Sequence, residues 1–205
     1  GYAFSLKLIQ DMIFFKFDVI NKSTVRYDSL YFNMYVDMDI GDYSGGVPEY
    51  GDDRVGLNKE LQLAFYYDDG LSPEWPGGTT GYFGVAMLQT PLVNGIRKGI
   101  TDFHYNQYDD DLDRDSVQYG IMSSAASLYN SPLGTRYFHL GSNAPNRHFD
   151  DTATIPTAGL DILANMASGP YTIMPGDTLT FVTVMVGGNT RNEIFTNTQR
   201  AFNLL

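Results

Sequence analysis

Apolar and polar residues alternate along much of this chain with the two-residue period of β-strands. In residues 12–20, every second residue from Ile13 to Val19 is apolar, and this side of the strand is predicted to be buried. Lys16 and Asp18 stand between them and are predicted to face solvent. The other predicted strands are residues 30–37, 60–67, 82–89, 116–122, 135–140 and 178–186.

The strand predicted at 178–186 is apolar on both faces, which indicates a central position in a sheet. The preceding residues Met174 to Asp177 read Met-Pro-Gly-Asp, a sequence typical of a type II turn. A helix is predicted after the strand, because Thr190 and Glu193 form a capping box ahead of a 3.6-residue apolar stripe that starts at Ile194.

Short strands separated by turn residues, followed by a single late helix, predict an all-β fold. We expect an antiparallel β-sandwich, Ig-like or jelly-roll-like, with long loops and one C-terminal α-helix. Residues 141–170 are poorly patterned and are predicted to form a long loop with a short helical turn. Residues 1–205 are expected to be one domain, and because Gly1 is not an initiator residue we expect a fragment or mature piece of a longer protein.

Composition limits the classes of function. The chain of 205 residues is 43% hydrophobic and 14% aromatic, enough to build a folded core. Its net charge of -11 disfavours binding to nucleic acid, and it has no apolar run long enough for membrane insertion. With no cysteine, disulfides and thiolate metal sites are excluded. A bound metal ion could stabilise such a domain instead.

The acidic residues are concentrated locally. Residues 37–53, 68–74 and 102–115 hold 15 of the 24 acidic residues and only one of the 13 basic residues. The rest of the chain is therefore slightly positive. The negative charge of this protein indicates sites for cations rather than general solubility.

The first acidic stretch is the strongest candidate site. Two carboxylates two residues apart in an extended segment point the same way, and a glycine at position 41 lets the chain turn back towards them. Calcium binds six to eight oxygens of this kind. The predicted calcium ligands are Asp37, Asp39, Asp42, Asp52 and Asp53. The alternative is a solvated acidic loop.

A possible second metal site consists of Asp109, Asp111, Asp113 and Asp115, spaced like the start of an EF-hand loop. The pattern then fails, because Arg114 stands where the EF-hand has glycine and Gly120 where it has its bidentate glutamate. A solvated loop explains this stretch equally well.

Aromatic residues suggest a carbohydrate-binding surface. Trp75 lies in a loop rich in proline and glycine, and Tyr66 and Tyr82 lie on the neighbouring predicted strands. Exposed rings of this kind can stack on sugars, whereas most aromatic residues of strands belong to the core or to cross-strand pairs. Because common nucleophile, zinc-protease and nucleotide-binding motifs are absent, we expect a protein that is not an enzyme.

Three segments resemble a module of large secreted and surface proteins of Bacteroidota and related bacteria, many of them exported by type IX secretion. They read FDVINKSTVRYDSLYFNMYVDMDIGDY, GDDRVGLNKELQLAFYYDDG and SGPYTIMPGDTLTFVTVMVGG. The resemblance implies a calcium-stabilised β-sandwich whose acidic motif corresponds to the five predicted ligands. The stretch from Ser44 to Asp52 departs from the pattern, and the chain has no recognisable sorting domain.

These observations lead to one expected function. We expect a bacterial, extracellular, calcium-binding β-sandwich that acts as a structural or adhesive module of a surface protein or self-assembled filament. Its expected partners are other domains of the parent protein or copies of itself, with glycans as further candidates. The alternative is a carbohydrate-binding module that uses its exposed tryptophan and tyrosine residues.

Overall fold

Strands account for about half of the residues that the structure describes. A computed structural model describes residues 1–41, 50–68, 72, 75, 77–107, 114–123, 135–139, 148–150 and 159–205. The strands are β1 (Tyr2–Ala3), β2 (Met12–Ile20), β3 (Tyr27–Asp37), β4 (Asp53–Asn58), β5 (Leu63–Asp68), β6 (Tyr82–Gln89), β7 (Leu92–Val93), β8 (Ile96–Arg97), β9 (Asp102–Gln107), β10 (Thr135–His139), β11 (His148–Asp150), β12 (Ile162–Ile173) and β13 (Thr178–Gly188). Helix α1 (Asp115–Met122) lies between β9 and β10, and helix α2 (Arg191–Phe202) follows β13.

The strands form two facing sheets. The larger sheet has the order β1-β2-β13-β6-β5-β4-β11, and the smaller one β10-β9-β12-β3, with β7 and β8 as a separate hairpin. Every pairing within the described ranges is antiparallel. Apolar side chains of both sheets bury one another between the layers, among them Val55 and Met87 of the larger sheet and Phe103 and Met166 of the smaller one. The predicted antiparallel β-sandwich is confirmed.

Helix α2 adds a third layer on the outer face of the larger sheet. Ile194 and Ala201 of the helix pack on Val182 and Val184 of β13, whereas Phe181 points inward and stacks on Phe32 of β3 with ring centroids 4.2 Å apart. The central position predicted for residues 178–186 is therefore confirmed, because β13 lies between β2 and β6 and is covered on both faces.

The predicted capping box starts helix α2. The backbone amide of Glu193 donates to Oγ1 of Thr190 at 3.1 Å. The Glu193 carboxylate reaches back and accepts from the backbone amide of Asn189 at 2.9 Å. The first bond satisfies an amide that the first helical turn leaves without a partner, and the second binds the residue just before the N-cap. The C-terminal helix is thus confirmed.

The predicted strands at 12–20, 30–37, 60–67, 82–89, 135–140 and 178–186 all coincide with observed strands, with ends shifted by a few residues. The predicted turn is also present, because Asp177 donates its backbone amide to the Met174 carbonyl at 3.0 Å. The alternation predicted for β2 is present from Phe15 to Val19, where Lys16 and Asp18 are exposed, but the start of the strand differs. Ile13 is 43% exposed, whereas Met12 and Phe14 are buried on the side covered by α2.

Two predictions of local structure are wrong. Residues 116–122, predicted as a strand, form helix α1, whose Val117 and Ile121 lie four residues apart and pack on Leu163. Among the described residues of the loop predicted over 141–170, His148–Asp150 form β11 and those from Ile162 onwards belong to β12. This strand is buried from Ile162 to Gly169 without alternation, since the core covers one face and helix α1 packs on it from outside.

The loop after β2 is anchored at the end of the sandwich opposite to Asp37. Asn21 is buried, and its side-chain amide donates to the carbonyls of Val25 at 2.8 Å and of Ile173 at 3.2 Å. Its backbone amide donates to the Asp177 carbonyl at 3.0 Å. One asparagine therefore joins the β2–β3 loop to the turn between β12 and β13.

No described helix is long and apolar enough to cross a bilayer.

Candidate cation site

Three chain segments meet at one end of the sandwich. Asp37 is the last residue of β3, and it is paired with Leu163 near the start of the neighbouring strand β12. Asp161 comes immediately before β12, so the antiparallel pairing places it beside the end of β3. The third segment is the start of β4, at Asp53, which belongs to the other sheet.

Asp37, Asp39 and Asp161 form an acidic triad. Each contributes a carboxylate oxygen, and these three oxygens all lie within 4.8 Å of one another. Asp37 and Asp39 are exposed and Asp161 is half-buried. The pKa of Asp37 is raised above its usual value, first by partial burial and then by the nearby charge of Asp39. The triad therefore concentrates negative charge that a cation would neutralise.

The carboxyl group of Asp53 lies buried beside this triad. Only 1% of Asp53 is exposed. Its Oδ1 accepts a hydrogen bond from the backbone amide of Ile40 at 3.0 Å, whereas Oδ2 is buried and has no hydrogen-bond partner in the described part of the chain. Burial first, and then the charges of Asp39, Asp52 and Asp68, together raise the pKa of Asp53 to about 8, although the hydrogen bond from Ile40 acts in the opposite direction.

Backbone contacts between the two sheets set the position of these groups. Asp53 forms an isolated bridge with Leu160, whose backbone amide donates to the Asp53 carbonyl at 3.1 Å. The adjacent Gly159 has a φ of 80° and approaches Asp52 so closely that an added Cβ would lie 2.1 Å from the Asp52 carbonyl carbon. Glycine at position 159 thus allows Asp161 and Asp53 to share one end of the sandwich.

This arrangement suits a hard divalent cation. Two carboxylates within 4.8 Å repel each other by about 3 kcal/mol at an effective dielectric constant of about 20. A cation that binds between them removes this repulsion and gains oxygen ligands. Asp37, Asp39 and Asp161 could hold the ion directly. Asp53 is not one of this group, but it lies near enough to Asp39 for the charge of Asp39 to raise its pKa.

The predicted ligands of the first acidic stretch divide into three groups. Asp37 and Asp39 are brought together, whereas Asp42 lies outside the described residues. Asp52 and Asp53 are not part of the triad, but the charges of Asp39 and Asp52 both raise the pKa of Asp53, which is buried. The sequence analysis did not predict Asp161 as a ligand. The signal that could have identified it is its position, because Asp161 immediately precedes an apolar segment, just as Asp37 ends the apolar strand β3.

Of the four residues of the possible second metal site, the structure describes only Asp115. Asp109, Asp111 and Asp113 lie outside the described residues. Asp115 is exposed and is the first residue of helix α1. A carboxylate in the first turn interacts favourably with the helix dipole, which gives Asp115 a structural role independent of any ion.

The aromatic residues predicted to bind carbohydrate are also separated. Tyr66 is 1% exposed and packs in the core between the sheets, so its ring is not available to a sugar. Trp75 and Tyr82 both line one cavity of about 340 Å³. Asp39 of the acidic triad lies on the wall of the same cavity.

Comparisons with known proteins return no match of any kind: no protein family, no curated protein and no solved structure is similar to this chain. The resemblance to a surface-protein module of Bacteroidota therefore stays a prediction.

Proposed function

We propose that this protein is a calcium-binding β-sandwich module with a structural or adhesive role outside the cell. The observation that carries the proposal is the acidic triad of Asp37, Asp39 and Asp161. It is supported by Asp53, whose pKa the charge of Asp39 raises and whose buried Oδ2 has no hydrogen-bond partner among the described residues. Buried polar atoms without partners are rare in folded proteins, and they commonly indicate an ion or water at the position.

The chemistry of the donors favours calcium over transition metals. The three side chains of the triad offer hard carboxylate oxygens, and the chain has no cysteine. Zinc and copper sites depend on nitrogen and sulfur ligands, whereas calcium accepts carboxylates and carbonyls in a flexible geometry. Magnesium demands a near-ideal octahedron and keeps several waters, so it should bind this broad acidic surface more weakly.

The place of the site supports a structural role for the ion. The triad joins the end of β3 to the start of β12, and Asp53 belongs to the other sheet. An ion held by the triad would fix the end of β3 to the start of β12, at the end of the sandwich where Asp53 and Leu160 form a bridge. It would stabilise the folded state because the unfolded chain does not present the ligands together.

The sheet edges support an adhesive role. In the described part of the chain, β3 is an edge strand of the smaller sheet, and β2 is paired on its outer side only by the two residues of β1. Open edges can accept an added strand from another molecule. Other domains of the parent protein or further copies of the chain are the partners that this geometry favours.

Thermal unfolding with calcium, with magnesium and with excess EDTA tests the proposal. Calcium should raise the melting temperature by several degrees more than magnesium, and EDTA should reverse the shift. The variant Asp161→Asn should lose most of the calcium response. The control Glu60→Gln removes an exposed acid from the turn at the far end of β4 and should keep the response. A melting temperature that calcium and EDTA leave unchanged would refute calcium binding.

A further inference from the structure

The cavity beside the acidic triad has the features of a ligand site. It has a volume of about 340 Å³, within the range of small-molecule sites. Its wall combines aromatic rings with polar groups, contributed by Trp75, Tyr82, Phe83, Thr80, Asn189 and Asp39. We propose that this cavity binds a saccharide, with one sugar ring against Trp75 and its hydroxyl groups directed at Asp39 and the ion that Asp39 helps to hold.

Trp75 is exposed but held in place. It is the single tryptophan of the chain and is 43% exposed. Its backbone amide donates to the Ser72 carbonyl at 3.0 Å, and its carbonyl accepts from the Gly78 amide at 2.8 Å. A third bond runs from the Ser72 amide to the Gly78 carbonyl at 3.2 Å. The backbone of Trp75 is therefore tied to both Ser72 and Gly78, which reduces the conformational freedom that it loses on binding.

The loop that carries Trp75 is tied to the acidic end of the sandwich. The Ser72 hydroxyl donates to Oδ2 of Asp68 at 3.2 Å. Gly41, two residues after Asp39, packs against both groups, since a Cβ added there would lie 3.1 Å from Oδ2 of Asp68 and from Oγ of Ser72. The segment that carries Asp39 and the loop that carries Trp75 are therefore in direct contact.

The chemistry of the wall fits a sugar better than other small ligands. A pyranose ring presents C–H groups on its faces, which pack on aromatic rings such as Trp75 and Tyr82, and hydroxyls at its rim. Asp39 accepts hydrogen bonds from hydroxyls, and Asn189 is held in place by Glu193, which accepts from its side-chain amide at 3.2 Å. Phosphate-bearing ligands are disfavoured by the acidic triad and by the net charge of -11.

The proposed role of the ion rests on the proposed function. Asp39 belongs to both the triad and the cavity wall. Calcium binds six to eight oxygens, so the carboxylates of the triad leave positions open. Two neighbouring sugar hydroxyls could fill them while the ring remains against Trp75. Sugar binding should therefore depend on calcium.

The test is calorimetric titration of the whole chain with a panel of neutral mono- and oligosaccharides, in calcium and in EDTA. We expect at least one saccharide to bind in calcium and to bind at least tenfold more weakly in EDTA. Trp75→Ala should weaken sugar binding at least tenfold and keep the calcium-dependent rise in melting temperature. The control Tyr27→Ala removes a ring of similar exposure at the start of β3 and should bind as the wild type does.

The outcomes separate the two proposals. If no neutral saccharide binds in calcium while calcium still raises the melting temperature, the saccharide site is refuted and the calcium site stands. Sugar binding that Trp75→Ala leaves unchanged also refutes the site. Binding that is equal in calcium and EDTA refutes the role of the ion. If neither ligand has any effect, both proposals fail.

Discussion

The backbone amide of Ile40 donates to Oδ1 of Asp53 at 3.0 Å, and this buried bond joins the acidic segment after β3 to the first residue of β4. This bond gives a hydrogen-bond partner to only one of the two carboxyl oxygens of Asp53. The other, Oδ2, is buried without a hydrogen-bond partner among the described residues. The same carboxyl group therefore helps to hold the two sheets together and leaves an electrostatic cost that a cation would offset.

Asp53 should make the stability of the calcium-free protein depend on pH. Its pKa is raised from 3.8 to about 8 on folding, so between these values the folded state holds a proton that the unfolded state does not. Stability should fall as pH rises from 4 to 8, by at most about 1.4 kcal/mol per pH unit. Asp37, whose pKa is also raised, contributes with the same sign.

Urea unfolding in EDTA at a series of pH values measures this dependence. Asp53→Asn cannot ionise, so it should flatten the slope and be more stable than the wild type near pH 8. Saturating calcium should flatten the wild-type slope as well, because a nearby cation favours the ionised carboxylate. Equal slopes for variant and wild type in EDTA would show that Asp53 is not the titrating group.

Terbium should report on the cation site through Trp75. Terbium ions commonly occupy calcium sites, and their emission is sensitised by a tryptophan close by. Trp75 and Asp39 line one cavity, so excitation of the single tryptophan should produce terbium emission that calcium then displaces. Trp75→Phe should abolish the emission without abolishing the thermal response to calcium. Emission that survives in Asp161→Asn would place the ion elsewhere.

Gly159→Ala should disturb both the fold and the cation site. The added methyl group would lie 2.1 Å from the Asp52 carbonyl carbon, at a φ of 80° that alanine rarely adopts. We expect a loss of at least about 1 to 3 kcal/mol in unfolding free energy, with weaker calcium binding. Gly176→Ala is the matched control, because Gly176 has a φ of 83° but nothing within 4 Å of the added atom. Similar losses in the two variants would show that the close contact is unimportant.

Asn21→Ala should separate stability from calcium binding. The variant removes the buried side-chain bonds to Val25 and Ile173 at the end of the sandwich opposite to the triad. Leaving those carbonyls without partners should cost about 1 to 3 kcal/mol of unfolding free energy. The calcium affinity of the folded protein, measured by calorimetry, should be unchanged. A large change in affinity would mean that the two ends of the sandwich are coupled.

The sequence correctly predicted those helices and strands whose local residue pattern matches the way the tertiary fold buries them. Helix α2 was predictable because Thr190 and Glu193 specify its start through bonds that the structure contains. Strand β12 was not, because burial on both faces removes the alternation that identifies a strand. Helix α1 was mistaken for a strand since Val117, Tyr119 and Ile121 fit a two-residue period, whereas the spacing of Val117 and Ile121 also fits a helix.

The acidic residues of the candidate site also divide into those that the sequence could predict and those that it could not. Asp37 and Asp39 were predictable as a pair because two alternate residues of an extended segment share a side. Asp161 was not, because only the pairing of β12 with β3 brings it to them, and that pairing joins residues more than a hundred positions apart. The buried state of Asp53 follows from the bridge to Leu160, another long-range contact.

The two-sided covering of β13 has a consequence for motion. Its neighbours β2 and β6 hold its backbone, the core covers one face and helix α2 the other. Amides in such a strand exchange with solvent only when the domain opens as a whole. Val182 to Val186 should therefore be the last segment to take up deuterium, and their exchange rates should report the free energy of global unfolding.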